Sequence, residues 1–395
     1  MQFEYDNPTQ VVFGAGTLPR LGEIVRRYGS RALLVTGGGS VKRSGIFDRA
    51  VKSLTEAGVA VFECDGVEPN PRITSVRRGV SIARENKCDV IVALGGGSAM
   101  DASKVMAAGA LYDGDPWDMI YHGQPNVYFP TEALPIITVP TLAATGSEMN
   151  CGAVISNTET TEKSFMHALC VYPKVALMDP ELTLSVPKDQ TAFGVCDLIT
   201  HVTEAYFNGP DNTPLQDRFA EGVILTAMEY GPKAIENGND LDARTHIQWA
   251  ATVALNGWVS SGASGGYPVH MIEHTVSAYH DITHAAGLAI INPAWMRFAA
   301  KARPAKFVQF AQRVFGLNAK GPDDLECALA GVDCLEHFLK AIGCPTRFSD
   351  LGVDDSLFET YAKETLRVVG DGNGYLTARP SMSEADIVGV LRAAK

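Results

Sequence analysis

Residues 89–101 read DVIVALGGGSAMD, in which a short apolar run passes directly into three glycines, a serine and the start of a helical pattern. Residues 31–40, RALLVTGGGS, repeat this order, and residues 134–140, LPIITVP, form a third apolar run. Helical patterns cover residues 45–57, 73–86 and 99–110. Short apolar runs that alternate with helices are typical of a parallel sheet with both faces covered. The first half of the chain is therefore predicted to be a Rossmann-like α/β domain.

The pattern changes near Pro187. Beyond this residue the apolar positions recur at helical spacing and strand-like alternation is absent. The helical stretches are residues 190–207, 215–230, 242–260, 303–315, 325–342 and 357–367. We therefore expect two domains, an α/β domain in residues 1–184 and an all-α domain in residues 185–395.

The composition argues against several classes of partner. The chain has 395 residues, of which 46% are hydrophobic, and a formal net charge of −12. Nucleic acids and anionic membranes attract basic surfaces, so neither is an expected partner. The start, MQFEYDNPTQ, lacks the apolar core of a secretory signal, and no apolar run approaches the roughly 20 residues of a membrane span. The eight cysteines include no CxxC pair, which favours reduced thiols and a cytoplasmic location.

Three loops of small residues follow the predicted strands. Their members are Gly37, Gly38, Gly39 and Ser40, then Gly95, Gly96, Gly97 and Ser98, and finally residues 140–148, PTLAATGSE, with hydroxyl groups such as that of Thr145. Ligands of a parallel α/β sheet lie beyond the carboxyl ends of the strands, and a helix N-terminus behind glycines attracts phosphate. One GGGS turn is equally compatible with a tight structural turn. Three such loops at three strand ends favour a dinucleotide site.

The first of these loops also bears on the choice of coenzyme. A site that prefers NAD commonly places a carboxylate in this region to accept hydrogen bonds from the ribose 2′-hydroxyl. No Asp or Glu occurs between Leu33 and Arg43, whereas Lys42 and Arg43 supply two cations. These residues predict a site for a 2′-phosphate and therefore NADP(H) as the coenzyme; the alternative is a glycine turn with two solvated cations.

Residues 265–291, GGYPVHMIEHTVSAYHDITHAAGLAII, contain four of the nine histidines. Pro268 indicates a helix start, and His270 and His274 would share one helical face. On one straight helix His270 and His284 would be roughly 21 Å apart, too far to bind one ion. The helix must therefore end between them if both are ligands, and Asp281 and Thr283 are suitable capping residues for a new helix. The alternative is a set of unrelated surface and core histidines.

A second cluster supports a metal site. Asp197 and His201 are four residues apart in a helical pattern, so one carboxylate and one imidazole share a face. With two of the later histidines they would complete a shell of one carboxylate and three imidazoles. Spacing alone does not decide which two histidines take part.

The whole chain resembles the iron-containing (group III) alcohol dehydrogenases, in particular the branch of NADP-dependent butanol dehydrogenases and broad-range aldehyde reductases. The motifs that carry the resemblance are GGGSVKRSG at 37–45, EPNP at 68–71, GGGSAMD at 95–101, TLAATGSE at 141–148, QDRFAEG at 216–222 and HMIEH at 270–274. The sequence departs from that of close relatives at residues 265–268, GGYP, just before His270. This difference concerns the shape of the expected pocket and not the metal site. The resemblance implies a dehydroquinate synthase-like architecture, a dinucleotide-binding α/β domain followed by a helical domain.

The resemblance also implies roles for individual residues. The metal ligands would be Asp197, His201, His270 and His284, holding Fe²⁺ or Zn²⁺. His274 and His280 would lie near the metal, and His280 is a candidate proton donor or else a group that shapes the pocket. Asp101, Thr141, Leu142, Ser147 and Lys163 would contact the nicotinamide ribose and ring. The loop that binds the diphosphate would consist of Gly95, Gly96, Gly97 and Ser98.

The expected activity is hydride transfer between NADP(H) and small alcohols or aldehydes, with the metal as a Lewis acid. One alternative is a metal- and nucleotide-dependent lyase resembling the dehydroquinate synthases, and another is a sensor that binds NADPH without turnover. A homodimer is also expected, because the segment Thr9 to Phe13 could add an edge strand across a dimer as it does in relatives.

Overall fold

A computed structural model describes residues 2–263 and 265–395, and it confirms the predicted fold class of a parallel α/β part followed by a helical part. The strands are β1 (Gln10–Phe13), β2 (Arg31–Gly37), β3 (Ala60–Val67), β4 (Val90–Gly95), β5 (Ile136–Pro140), β6 (Gly152–Asn157), β7 (Glu162–His167) and β8 (Val175–Met178). The helices of the first part are α1 (Leu21–Arg26), α2 (Ser40–Arg43), α3 (Ile46–Glu56), α4 (Ile73–Glu85) and α5 (Gly97–Gly109). Those that follow are α6 (Lys188–Asn208), α7 (Pro214–Glu236), α8 (Leu241–Leu255), α9 (Pro268–His280), α10 (His284–Ala302), α11 (Pro304–Phe315), α12 (Leu325–Ala341), α13 (Phe358–Val369) and α14 (Glu384–Ala393).

Six strands form one parallel sheet in the order β1-β8-β5-β4-β2-β3. Successive residues of a strand point to opposite faces. Accordingly Leu33 and Val35 of β2 pack into one buried apolar cluster, while Ala32 and Leu34 pack into another. Both faces of the central strands are therefore covered, which explains why these strands read as continuous apolar runs.

The order of the strands defines where a ligand of this sheet would bind. The chain leaves β2 toward β3 on one side and returns to β4 on the other side of β2. In an open α/β sheet the crevice for a ligand lies beyond the carboxyl ends of the strands at such a reversal. The loops Gly37–Ser40 and Gly95–Ser98 follow β2 and β4, so both lie at this point.

Strands β6 and β7 form a separate antiparallel pair that the sequence analysis did not predict. Their turn contains Thr161, which adopts a left-handed backbone conformation with φ of 56°. Neither strand has an uninterrupted apolar run, because Ser156, Asn157, Lys163 and Ser164 interrupt it with buried polar side chains. The pair therefore lacks the apolar pattern that revealed the central strands.

The chain divides into two compact units. The sheet unit comprises Asp6–Pro187 and Asn237–Thr252, and the helical unit comprises Lys188–Glu236, Val253–Lys395 and the N-terminal segment that ends at Tyr5. The greater part of α8 thus packs with the sheet unit, where buried Arg244 donates to the carbonyl of Val186 (3.1 Å). None of the helices in the described part of the chain combines the length and apolar character that a membrane span requires.

Candidate metal centre and coenzyme loops

Helix α6 of the helical unit carries the first two candidate ligands. Asp197 and His201 lie one helical turn apart and are 2% and 5% exposed. The Nδ1 atom of His201 is 3.6 Å from Oδ1 of Asp197, and Nε2 of His270, on α9, is 3.7 Å from the same oxygen. The three side chains therefore converge on one buried point.

The three converging atoms satisfy a test for a metal site. Oδ1 of Asp197, Nδ1 of His201 and Nε2 of His270 are all buried, and none of them has a hydrogen-bond partner among the described residues. Buried polar atoms without partners are rare because each costs about 1–3 kcal/mol. Ligands at about 2.0–2.1 Å around a tetrahedral ion are roughly 3.4 Å apart. The observed separations exceed this spacing by a few tenths of an ångström, so the donor set fits a divalent ion.

The fourth candidate, His284, reaches this region because the helix is interrupted as predicted. Helix α9 ends at His280 and α10 begins at His284. Asp281 closes α9 in a left-handed conformation (φ 49°) and Thr283 precedes α10, although the Thr283 side chain makes no capping hydrogen bond. The ring centroids of His270 and His284 are consequently only 5.3 Å apart.

His284 also belongs to a second group of potential ligand atoms. Glu273, His274 and His284 each offer one such atom, and these atoms all lie within 4.8 Å of one another. The ring of His274 lies 6.4 Å from that of His270 and 5.5 Å from that of His284, measured between centroids. Of the six residues predicted at or near the metal, the structure thus brings five together, and the sixth, His280, lies in a different environment.

Two glutamates that the sequence analysis missed hold the candidate ligand rings. The Glu204 carboxylate accepts the backbone N–H of Val269 (2.6 Å) and contacts Nδ1 of His270. The Glu273 carboxylate contacts Nδ1 of His284. Both glutamates are completely buried. A carboxylate on the far nitrogen of an imidazole fixes its tautomer and orientation, an arrangement common around protein-bound metals.

The electrostatics of the group favour an ionised carboxylate beside a neutral imidazole. Burial opposes ionisation of Asp197, but the neighbouring imidazoles, His201 first, lower its pKa to about 2. Burial lowers the pKa of His201 to about 3, so its ring stays neutral. For His270 burial acts in the same direction, but Glu204 and Asp197 outweigh it and raise its pKa to about 10. Without an ion His270 is therefore protonated at neutral pH, and a cation that binds to its Nε2 displaces a proton.

His280 occupies a different environment from the other histidines. Its side chain is exposed at the end of α9, and its Nε2 contacts the hydroxyl of Tyr361 on α13. Tyr361 is buried, and this burial raises its pKa to about 12. The Tyr361 hydroxyl therefore stays protonated at neutral pH and can donate to His280.

In the sheet unit, the predicted phosphate loop packs tightly against the third small-residue loop. A side chain on Gly97, the first residue of α5, would come within 2.4 Å of Thr145. A Cβ on Gly96 would lie 3.5 Å from Leu142. Glycine at position 97 therefore lets the two loops meet, which places Thr145 beside the N-terminus of α5. Gly39, in the first loop, has a φ of 96°, a conformation that favours glycine.

Asp101 and Ser147 contact each other. The hydroxyl of Ser147 donates to Asp101 (2.6 Å), whose second oxygen accepts the backbone N–H of Val154 (2.9 Å). Lys104, a buried residue that the sequence analysis did not select, donates to Ser147 (2.8 Å) and to the carbonyl of Gly152 (2.7 Å). These bonds hold the loop that follows β5, so Asp101 and Lys104 both position Ser147.

Lys163 and Lys42 each have a partner that sequence spacing did not reveal. Lys163 on β7 donates to the side chain of Asn70 (2.9 Å), which has a left-handed backbone (φ 54°) within the EPNP motif. Lys42 contacts the carboxylates of Glu63 and Asp65, both on β3, with a distance of 2.9 Å to Asp65. The position of Asn70 before a proline in the EPNP motif could have marked it as a special residue. Nothing in the sequence of β3 indicated that Glu63 and Asp65 would contact Lys42.

Comparisons with known proteins identify the family of the chain. Residues 8–180 match the family model described as iron-containing alcohol dehydrogenase, and residues 191–395 match that of the C-terminal domain of the Fe-containing alcohol dehydrogenase family. The chain is 44% identical to the probable NADH-dependent butanol dehydrogenase 1 of Bacillus subtilis (99% of each chain). It is 38% identical to the NADPH-dependent aldehyde reductase YqhD of Escherichia coli (92% of each chain).

A solved structure shows the same fold over the whole chain. The NADH-dependent butanol dehydrogenase A of Thermotoga maritima superposes with a TM-score of 0.94 at 38% identity, covering 100% of this chain and 98% of the other. The family models together span both units of the chain, and the relatives match nearly its full length. The chain therefore belongs to the iron-containing alcohol dehydrogenase family of oxidoreductases.

Proposed function

We propose that the chain is a metal-dependent alcohol dehydrogenase and aldehyde reductase that transfers hydride between NADP(H) and small to medium-chain alcohols or aldehydes, such as butanol and butanal. In this proposal residues 1–184 bind the coenzyme and residues 185–395 bind the metal. The activities named for the relatives support the reaction class. The observation that carries the metal-dependent chemistry is the set of three buried, converging ligand atoms without hydrogen-bond partners.

The proposed ligands are Asp197, His201, His270 and His284, and the proposed ion is Fe²⁺ or Zn²⁺. One carboxylate and three imidazoles accept either ion, and the affinity order favours zinc at equal availability. The family description names iron. Elemental analysis of the protein purified without chelators would identify the ion.

When bound, the ion supplies Lewis acidity toward an aldehyde oxygen and the reduced nicotinamide supplies the hydride. Asp197 is the only acidic member of the proposed ligand set, so the occupied site would keep a net charge near +1 that attracts a carbonyl oxygen. Glu204 fixes the Nδ1 side of His270 and thereby directs Nε2 of that ring into the site.

The proton that completes the alcohol is proposed to come from His280, directly or through water. Because Nε2 of His280 contacts the Tyr361 hydroxyl, Nδ1 is the ring atom that would pass a proton to the product. His274, which is 4% exposed, is proposed to line the reaction site. We expect His280→Gln to weaken or remove an ionisation from the pH profile of kcat; an unchanged profile would assign His280 to shaping the pocket alone.

The preference for NADP(H) is the finer part of the proposal. Its support is the absence of Asp and Glu between Leu33 and Arg43, together with the cations Lys42 and Arg43. The relatives differ in this respect, because the one from Bacillus subtilis is named as NADH-dependent and the one from Escherichia coli as NADPH-dependent. The names of the relatives therefore do not decide between NADPH and NADH, and the proposed preference for NADPH rests on Lys42 and Arg43 of this chain.

A homodimer is proposed from the edge of the sheet. Strand β1 is the terminal strand of the six-stranded sheet and pairs on one side with β8. Phe13 at its end contacts Trp249, which is 43% exposed, at a centroid distance of 5.8 Å. An exposed strand edge beside an exposed aromatic side chain is suited to pairing with a second copy. Light scattering would test this, with a monomeric mass contradicting the proposal.

The decisive experiment is a steady-state assay of NADPH oxidation with butanal, followed by gas chromatography of the product. We expect stoichiometric butanol and loss of turnover after chelation of the metal. NADPH binding without turnover of any aldehyde would favour a sensor. Turnover that releases a product without consuming NADPH would favour a lyase.

A further inference from the structure

Strand β3 places two carboxylates, Glu63 at its middle and Asp65 near its carboxyl end, in contact with Lys42. Strands β2 and β3 pair in parallel, with Leu34 opposite Glu63. Lys42 lies on α2, directly after Gly39, and its ammonium group contacts both Glu63 and Asp65. The three side chains are partly exposed to solvent, with 38% of Lys42, 37% of Glu63 and 56% of Asp65 accessible. A ligand beyond the strand ends can therefore reach them.

The position of β3 suits its carboxylates to the recognition of the adenosine ribose of the coenzyme. In doubly wound sheets that bind dinucleotides, an acidic residue about 20 residues after the glycine loop accepts hydrogen bonds from the ribose 2′-hydroxyl. Here β3 is the strand that follows the glycine loop in the chain, and it lies next to β2 in the sheet. Asp65 is near its end and is thus suitably placed to face the same part of the coenzyme as Gly37–Ser40.

The charges of the cluster oppose a 2′-phosphate. Lys42 contributes one positive charge, whereas Glu63 and Asp65 contribute two negative charges. Arg78 adds a further positive charge nearby, and its guanidinium contacts the backbone carbonyl of Asp65. Of the two cations that the sequence alone would assign to a 2′-phosphate, Arg43 lies beside Gly39, but Lys42 is already engaged, and a phosphate dianion would compete with two carboxylates for it.

We propose that Glu63 and Asp65 are specificity-determining residues, which restrain Lys42 and thereby limit the preference for NADPH over NADH. This inference rests on the proposed function, since it concerns the same coenzyme site. It predicts that the discrimination between the two coenzymes is small in the unmodified protein. It further predicts that neutralising either carboxylate releases Lys42 for the 2′-phosphate.

The test measures dissociation constants for NADPH and NADH by coenzyme fluorescence with the full-length protein, so that it does not depend on turnover. We expect Asp65→Asn to strengthen NADPH binding by about 3- to 10-fold relative to NADH, with Glu63→Gln acting in the same direction. Lys42→Met should shift the ratio by a similar factor the other way. These factors correspond to the interactions of partly exposed charges with a dianion.

A matched control is Glu56→Gln. Glu56 forms an exposed pair with Lys52 at the end of α3. Since α3 returns the chain from the carboxyl end of β2 to the start of β3, Glu56 lies near the amino ends of the strands, away from the glycine loops. Its replacement removes the same charge and should leave the ratio unchanged. An equal shift in this control would make the effect one of overall charge and overturn the proposal.

Adenosine 2′,5′-bisphosphate and adenosine 5′-phosphate serve as competing probes that lack the nicotinamide. Asp65→Asn should strengthen binding of the bisphosphate selectively. If the unmodified protein binds neither coenzyme nor either probe, the proposed function itself fails. If it binds them but the Asp65→Asn and Lys42→Met variants keep the original ratio, only the role of the carboxylates is refuted.

Discussion

Replacing Asp197 or His284 by alanine is expected to remove the bound metal and with it the turnover of butanal. Binding of structural Zn²⁺ to the four ligands of a zinc-finger peptide releases about 10–16 kcal/mol, which sets the scale for this site. Loss of one ligand of four should then cost about 3–4 kcal/mol, which weakens binding roughly 10²- to 10³-fold. Metal content measured by mass spectrometry should fall far below one ion per chain. NADPH binding should persist, because the glycine loops belong to the sheet unit.

The chain contains a matched control for this experiment. Asp242 and His246 on α8 are also an acidic residue and a histidine four positions apart, but they are 77% and 45% exposed. Asp242→Ala removes the same functional group from the same spacing and should leave metal content and activity unchanged. Stoichiometric metal in both the Asp197→Ala and His284→Ala proteins would refute the ligand assignment.

The second large effect is expected from Glu204→Gln. The Glu204 carboxylate receives two N–H groups, from Val269 and from the ring of His270. A glutamine has only one acceptor oxygen, so one of these donors would face the amide NH₂ group. The ring of His270 would lose its fixed orientation, and metal affinity should fall about 10- to 100-fold. A competitive chelator titration would measure this change.

Glu221→Gln is the appropriate comparison for this variant. Glu221 is another buried carboxylate of the helical unit, and it accepts from Tyr206 (2.9 Å) and Arg313 (3.1 Å). It touches none of the proposed ligands in the contacts that the structure describes. Its replacement should lower the melting temperature without changing metal affinity. Equal losses of affinity in both variants would reduce the role of Glu204 to general stabilisation.

Sequence reasoning succeeded where local pattern and geometry were sufficient. The apolar run from Val90 to Leu94 is continuous because this strand is covered on both faces. The helix end between His280 and His284 followed from the reach of a straight helix, and the structure has it there. In both cases the physical constraint acts between residues that are close together in the chain, so the structure can be predicted from the local sequence.

The rest depended on contacts between distant segments. Glu204 precedes His270 by 66 positions, and no spacing rule connects them. Lys42 looked like a free cation because Glu63 and Asp65 lie on the next strand, more than 20 residues later. The strands β6 and β7 hold buried polar side chains that mask an apolar pattern. Such pairings arise from the packing of the sheet, which a single sequence does not specify.

The assignment of most of α8 to the sheet unit has a consequence for how this protein can be cut and recombined. The chain leaves the sheet unit after Pro187, returns for Asn237–Thr252 and leaves again. In that returning segment Thr252 donates to Glu148, a buried carboxylate, and Arg244 holds the carbonyl of Val186. A fragment that stops at residue 187 would lose both partners. A chimera that exchanges coenzyme units between relatives must therefore transplant this returning segment together with Asp6–Pro187, because the sheet unit consists of two separate segments of the chain.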